Sequence, residues 1–156
     1  MLIRLANKND IDDLIRLRLE YINHDIGQMT KEIEKEFEEQ LKIYFKRAID
    51  NNFVGVLCEI DKKIVSCAYL AIYERPSKIF PPSGKNATVL NVYTYDKYRG
   101  RGCCTKVLKV LIDEAKKRNL SYIDLSSSSM ARSIYKKHGF EIKEQSKFVD
   151  MRLKLK

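Results

Sequence analysis

Arg99-Gly100-Arg101-Gly102-Cys103-Cys104-Thr105 stands between a run of β-formers, Thr88–Tyr95 (TVLNVYTY), and a segment in which Val107, Leu108, Val110, Leu111 and Ala115 recur at helical spacing. In a strand–glycine turn–helix order, backbone N–H groups can wrap an anion. Glycine allows close approach, and the first turn of a helix adds unpaired donors and the positive end of its dipole. Arg99 and Arg101 can add charge-assisted bonds to the same anion. Two glycines also suit a plain strand-to-helix turn, so the segment defines a cradle without naming its occupant.

Two familiar phosphate loops do not fit. A dinucleotide fingerprint starting at Gly100 needs a third glycine where Thr105 stands, and a P-loop needs Gly-Lys-Ser/Thr with a glycine upstream that this chain lacks.

Upstream, Met1–Leu5 reads as a strand, and Asn9 or Asp10 caps a helix carrying Ile11, Leu14, Ile15 and Ile22. From about Thr30 to Asn51, apolar residues from Ile33 to Ile49 recur every three or four positions, which predicts an amphipathic helix. Phe53–Ile60 and Ile64–Tyr73 form a hairpin across the polar Asp61-Lys62-Lys63, and their continuous apolarity predicts burial on both faces. The prolines between Pro76 and Gly84 exclude regular structure there. Strict alternation along the third strand places Val89, Asn91, Tyr93 and Tyr95 on one face and Thr88, Leu90, Val92 and Thr94 on the other. Downstream come a brief strand at Tyr122–Leu125, a helix at Met130–Lys137 stopped by His138-Gly139, and a terminal antiparallel pair, Glu141–Glu144 with Phe148–Leu155.

The chain has 156 residues, enough for one sizeable core, and neither repeat nor linker divides it, so residues 1–156 are read as one domain. At 44% hydrophobic and 33% charged it is neither disordered nor collagen-like, and no uncharged stretch reaches the length of a membrane span. Its start lacks the pattern of a signal peptide, so the expected compartment is the cytoplasm. The net charge of +9 is uneven: residues 85–118 carry +6, residues 132–156 carry +5, and the remainder −2. The first excess surrounds the glycine cradle. No nucleic-acid motif accompanies it, and neither nucleic acid nor membrane is expected as a partner.

Cys58 and Cys67 lie in apolar runs, while Cys103 and Cys104 are adjacent, so there is no C-x-x-C pair and no metal site is expected. The thiols are read as reduced. No His/Asn partner is arranged to make Cys103 or Cys104 a nucleophile. His24 and His138 fall at helix ends, where caps and surface residues are the ordinary reading.

The segment Arg99-Gly100-Arg101-Gly102-Cys103-Cys104 resembles the Gln/Arg-x-x-Gly-x-Gly/Ala signature of the GNAT N-acetyltransferase superfamily. Cys104 departs from it, standing where the family has Gly or Ala. Leu90–Thr94 with Asp96–Arg99 is similar to the strand and loop preceding that signature, and Met130–Phe140, with its Tyr135-x-x-x-Gly139-Phe140, is similar to a second conserved helix. The likeness covers roughly residues 88–140; the first fifty residues agree only in order. It implies an α/β fold of the α+β kind, with a mixed, mostly antiparallel sheet of six to seven strands, about four helices, and a V-shaped splay between central strands. It also implies acetyl-coenzyme A as cofactor. The pantetheine would run along Val92, Tyr93 and Thr94, the pyrophosphate would sit on Arg99, Gly100, Arg101, Gly102, Cys103, Cys104 and Thr105, and Ser127 and Ser128 would stand near the pantetheine arm or cap the next helix.

By the same likeness the chemistry is direct attack of a neutral amine on the thioester, which needs an oxyanion donor, an acid for the thiolate and a base for the amine. A backbone N–H near Val92 takes the first task. Tyr135, with a reference pKa of about 10, is protonated at neutral pH and is the expected acid. Glu74 is the expected carboxylate base, with a solvated strand-end charge as its other reading and a water chain as its substitute. The acceptor is a primary amine on a small molecule or peptide, and the assembly a monomer or homodimer. The alternative is a non-catalytic module that binds or senses acetyl-coenzyme A.

Overall fold

The computed structural model describes residues 1–77, 83–143, 151 and 153–155. Contacts divide the chain into two compact units, Met1–Ser126 and Ser127–Lys156. The first holds β1 (Leu2–Leu5), α1 (Ile11–Ile26), α2 (Lys31–Ala48), β2 (Phe53–Ile60), β3 (Lys63–Glu74), β4 (Lys85–Thr94), α3 (Cys103–Lys117) and β5 (Ile123–Asp124). The second holds α4 (Arg132–Lys137).

The sheet runs β1-β2-β3-β4-β5, antiparallel throughout except for β5, which lies parallel to β4. This is the mixed, mostly antiparallel architecture expected, with five strands among the described residues where the sequence predicts six or seven. The terminal pair predicted at 141–144 and 148–155 falls largely outside the described residues. Strand β4 begins at Lys85 rather than Thr88, because antiparallel pairing with β3 continues to Glu74↔Lys85.

Alternation on β3 separates the two faces of the sheet. Cys67 and Tyr69 join the core cluster formed by Leu14, Leu17, Phe45 and Phe53 beneath α1 and α2. The other face carries α3, which packs on β2, β3 and β4. Both central strands are therefore covered on both sides, and six consecutive residues of β2 are buried, as their continuous apolarity predicts. Phe45, Phe53 and Tyr69 meet edge to face, with centroids 5.0 to 6.0 Å apart. The Tyr69 hydroxyl donates to the Leu14 carbonyl at 2.8 Å, which satisfies its one buried polar atom and ties β3 to α1.

Capping differs from expectation at the first helix. Asn7 starts the helical region, in a 3₁₀ turn over Lys8–Asp10: Asn7 Oδ1 accepts from Asn9 N at 2.9 Å, and Asp10 Oδ2 accepts from Asn7 N at 2.8 Å. Asp10 makes no cap bond to α1, because its carboxylate is taken by Asn7 and by a bidentate pair with Arg4 at 2.7 and 2.8 Å. The Arg4 bonds, and to a lesser degree the Asn7 N–H, hold the Asp10 carboxyl below its usual value in spite of burial.

A carboxyl whose folded pKa is depressed stabilises the fold above its unfolded pKa, and that contribution is lost as pH falls through 3.8 toward the lower folded value. Asp10→Ala is expected to cost about 2–4 kcal/mol at pH 7, since it leaves Arg4 without its closest partner. The loss should shrink progressively as pH falls below about 4, where wild type begins to forfeit the same interaction. Denaturant titrations at pH 7 and pH 3.5 check this; an equal loss at both would refute the electrostatic account.

Candidate functional site

The site begins with an irregularity in β4. Asn91 pairs with Tyr69 and Val89 pairs with Leu70, so Leu90 is an extra residue on β4, a β-bulge. The insertion breaks the alternation that the sequence predicts. Leu90 packs with the α1/α2 cluster beside Tyr93, on the face of Asn91, while Val89 turns to the α3 face with its partner Leu70. The predicted grouping of Val89 with Asn91, and of Leu90 with Val92, is corrected by that one residue.

The bulge also redirects the backbone. Below it, Lys85 O and Ala87 N bond Ser121 N at 2.8 Å and Tyr122 O at 3.1 Å, so odd-numbered residues point toward β5. Above it, Tyr95 N donates to Val65 O at 3.1 Å. Period-two alternation then aims Tyr93 at β3, and Val92 and Thr94 away from it. Strand β5 pairs with β4 only at Ala87 and Thr88. Among the described residues no strand pairs with Val92 or Thr94 on that side, so β4 offers an open backbone edge there.

The edge leads into the glycine turn. Residues Asp96–Tyr98 form a 3₁₀ turn, and Gly102 is the N-cap of α3. Gly100 and Gly102 have φ of 73° and 78°, the left-handed region that glycine occupies without strain, and a Cβ at either would meet nothing within 4 Å. Helix α3 starts with no side-chain cap and no acidic residue in its first turn. Its positive end is therefore uncompensated by a carboxylate of its own.

Arg99 is exposed; its Nε donates to Thr94 O at 3.2 Å and its Nη2 pairs with Asp96 at 2.8 Å. The Arg101 guanidinium lies 5.3 Å from the Tyr98 ring centroid and is exposed. Cys103 is buried at 1% exposure, so it presents its backbone rather than its thiol to the turn, and Cys104 is half-buried. Thr105 is exposed.

Burial pushes the thiols up: Cys58 to about 12, with the neighbouring Cys103 thiol adding to the rise, and Cys67 and Cys104 each to about 11. A group at 11 is about 1 part in 10⁴ thiolate at neutral pH, against a few per cent for an ordinary cysteine. Thiol–disulfide exchange of the native chain with a disulfide reagent is thus expected to be at least about a hundredfold slower than that of a free thiol, with four thiols reacting in denaturant. A fast-reacting thiol in the native state would refute this. The raised Cys104 argues against an acyl-cysteine route.

The remaining predicted residues lie apart or in the second unit. Glu74 is exposed at the end of β3, four residues beyond Leu70 and hence about 13 Å along the strand from the bulge. The structure does not bring it to Val92. Tyr135 sits on α4, half-buried, its ring edge-to-face with Phe140 at 5.8 Å. Ser128 Oγ accepts from Ala131 N at 3.3 Å in the turn before α4, a helix that starts without a side-chain cap, and Ser127 Oγ donates to Ser128 O at 2.8 Å. Helix α4 therefore starts at Arg132 rather than Met130. Asp13, Arg16 and Tyr95 form an exposed chain that the sequence did not signal: Arg16 donates to both at 2.5 Å. Among the described residues no group of three metal-ligating side chains occurs, and no helix is long and apolar enough to cross a membrane.

A sheet opened along one strand, with that strand running into a glycine turn and a helix start without a side-chain cap, is an α/β fold with a strand edge leading into an anion cradle. The acetyltransferase (GNAT) family model matches residues 18–140, and the chain belongs to that family. Acetyl-coenzyme A is the family's acyl donor. The donor set fits it: free space over Gly100 and Gly102, helix-start amides, two exposed arginines and a backbone edge that no strand among the described residues pairs.

A predicted acetyltransferase from Clostridium acetobutylicum, crystallised with acetyl-coenzyme A, is 28% identical, with 97% of this chain and 95% of that one covered and a TM-score of 0.80. A GCN5-related N-acetyltransferase from Ralstonia eutropha JMP134 shares the fold at 18% identity, 95% and 97% coverage and a TM-score of 0.76. An aminoglycoside acetyltransferase from an uncultured soil sample does so at 12% identity, 98% coverage of both chains and 0.71. None of the curated proteins compared matches the chain.

Proposed function

We propose that the chain, acting as one catalytic domain over residues 1–156, transfers acetyl from acetyl-coenzyme A to a primary amine in a ternary complex. The observation that carries this reading is the continuity of the open Val92–Thr94 edge with the Gly100/Gly102 turn. An extended arm ending in phosphates needs backbone partners first and an anion cradle next, in that order along the chain.

In this reading Val92 and Thr94 bind the arm through their backbone beside Tyr93, and the amides from Gly102 to Thr105 hold the pyrophosphate with help from Arg99 and Arg101. When bound, the donor supplies a thioester carbonyl and a thiolate leaving group. The Val92 N–H, aimed at the open edge, stabilises the developing oxyanion. Tyr135 protonates the departing thiolate from its hydroxyl. With Glu74 remote from the bulge, water takes the amine's proton.

The acceptor is a small-molecule or peptide amine. The test is a screen of both kinds of amine for thiol release from acetyl-coenzyme A, alongside calorimetric titration of the cofactor. Release with at least one primary amine supports the reading. Binding without release for the whole panel would favour the sensing module, and no binding would overturn both.

A further inference from the structure

The Leu90 bulge is held from outside the sheet. Arg18, half-buried on α1, donates through Nη1 to the Leu90 carbonyl at 2.9 Å and to Asn91 Oδ1 at 3.1 Å. Asn91 Nδ2 in turn donates to Cys67 Sγ on β3 at 3.4 Å, so the residue after the bulge is tied on both sides. The Arg18 guanidinium lies 5.6 Å from the Tyr21 ring centroid. Desolvation lowers its pKa from the ordinary arginine value while the nearby Tyr21, Tyr69, Cys67 and Tyr44 oppose the shift; an arginine remains charged even so. The other half-buried arginine tied to a strand, Arg4, meets two carboxylates. Arg18 spends its desolvated donor on a main-chain carbonyl.

That carbonyl is the group a bulge displaces from its ladder, and a buried carbonyl needs a donor. A bulge is a one-residue excess, and the excess can sit at neighbouring positions of the same strand. Moving it two or more residues toward Thr94 would leave Val92 in the register of the lower strand and turn its N–H from the open edge to β3. The side chain that bonds Leu90 O therefore selects where the parity of β4 changes.

We infer that Arg18 is a positioning residue for the reaction: by holding the Leu90 carbonyl and the Asn91 amide it locks the bulge in the register that presents the Val92 and Thr94 backbone to the acyl donor. The inference rests on the proposed acetyl transfer for its consequence, and on the sheet alone for its geometry. The test therefore has one arm that needs no ligand.

In that arm, amide hydrogen exchange is followed residue by residue by NMR in wild type, Arg18→Met, which keeps an apolar stem without donors, and Arg18→Lys, which keeps one charged donor. Wild type should show slow exchange at Tyr95 and faster exchange at Val92 and Thr94. Arg18→Met should blur or invert that alternation, and Arg18→Lys should restore it in part. In the second arm, acetyl-coenzyme A affinity should fall about tenfold or more in Arg18→Met and recover partly in Arg18→Lys, whereas KM for the amine should change less. An unaltered exchange pattern in Arg18→Met overturns the inference, as does equal loss in both variants with matching drops in melting temperature. If Arg18→Met does not fold, Arg18→Gln, which keeps neutral donors, is measured in its place under the same two criteria. Failure of wild type to bind the cofactor overturns the functional reading and leaves the exchange result to decide this one.

Discussion

Tyr135→Phe is expected to lower turnover of acetyl-coenzyme A about a hundredfold or more while leaving cofactor affinity within about twofold, because a positioned acid contributes roughly 10²–10⁴ in rate. Under the proposed reading the leaving group is a thiolate, and its protonation is the step that the phenol supports. The substitution removes one oxygen and retains the ring, so the edge-to-face packing on Phe140 survives. A melting temperature measured beside the kinetics separates a stability effect from a catalytic one. Single-turnover kinetics with the best amine of the panel, beside a calorimetric Kd, checks the expectation. Turnover at the wild-type rate would remove Tyr135 from the mechanism. A loss confined to Kd would reassign it to cofactor binding.

Gly102→Val should weaken acetyl-coenzyme A binding about a hundredfold, close to 3 kcal/mol. Two effects add. A residue at φ of 78° carries no strain as glycine, but a β-branched side chain there is an outlier that costs on the order of 1–3 kcal/mol. The Cβ also fills space that is empty within 4 Å in this chain, the same space that a phosphate approaching the α3 amides would use. Gly102→Ala separates the two contributions, with less strain and the same Cβ. Its expected loss is about tenfold. Retention of wild-type affinity in both variants would remove the turn from the binding site, and loss of affinity equal to the loss of fold stability would assign the effect to strain alone.

Most of the elements were legible because their signals are local. The apolar stripe from Ile33 to Ile49 needs only its own spacing to predict α2, and Thr30 supplies the cap as its side chain accepts from Ile33 N. The turn from β4 into α3 was equally legible, since strand, two glycines and helix are contiguous in the chain. At the first helix the cap position was legible but its bonding was not: Asp10 stands at the N-cap of α1, yet Arg4 and Asn7 claimed its carboxylate. The distance of Glu74 from the glycine turn was illegible for a different reason. Proximity along the chain to a strand end does not say which end of the sheet the site occupies, and pairing of Glu74 with Lys85 puts it at the far end of β4 from the glycine turn.

The order of strands and helices from β1 to α4, burial of the central hairpin on both faces, the glycine turn into a helix at Arg99–Thr105 and the likeness to an acetyltransferase were determined by the sequence alone, because each depends on residues within a few turns of one another. Tertiary structure decided where β4 changes parity and which backbone groups face the opening. The extra residue at Leu90 exists only against Tyr69 and Leu70 of another strand, and its carbonyl finds a donor in Arg18, 72 residues away. Hydrophobic period and turn chemistry are properties of a segment; register is a property of a pair, and it is set by contacts that form only when the chain has folded.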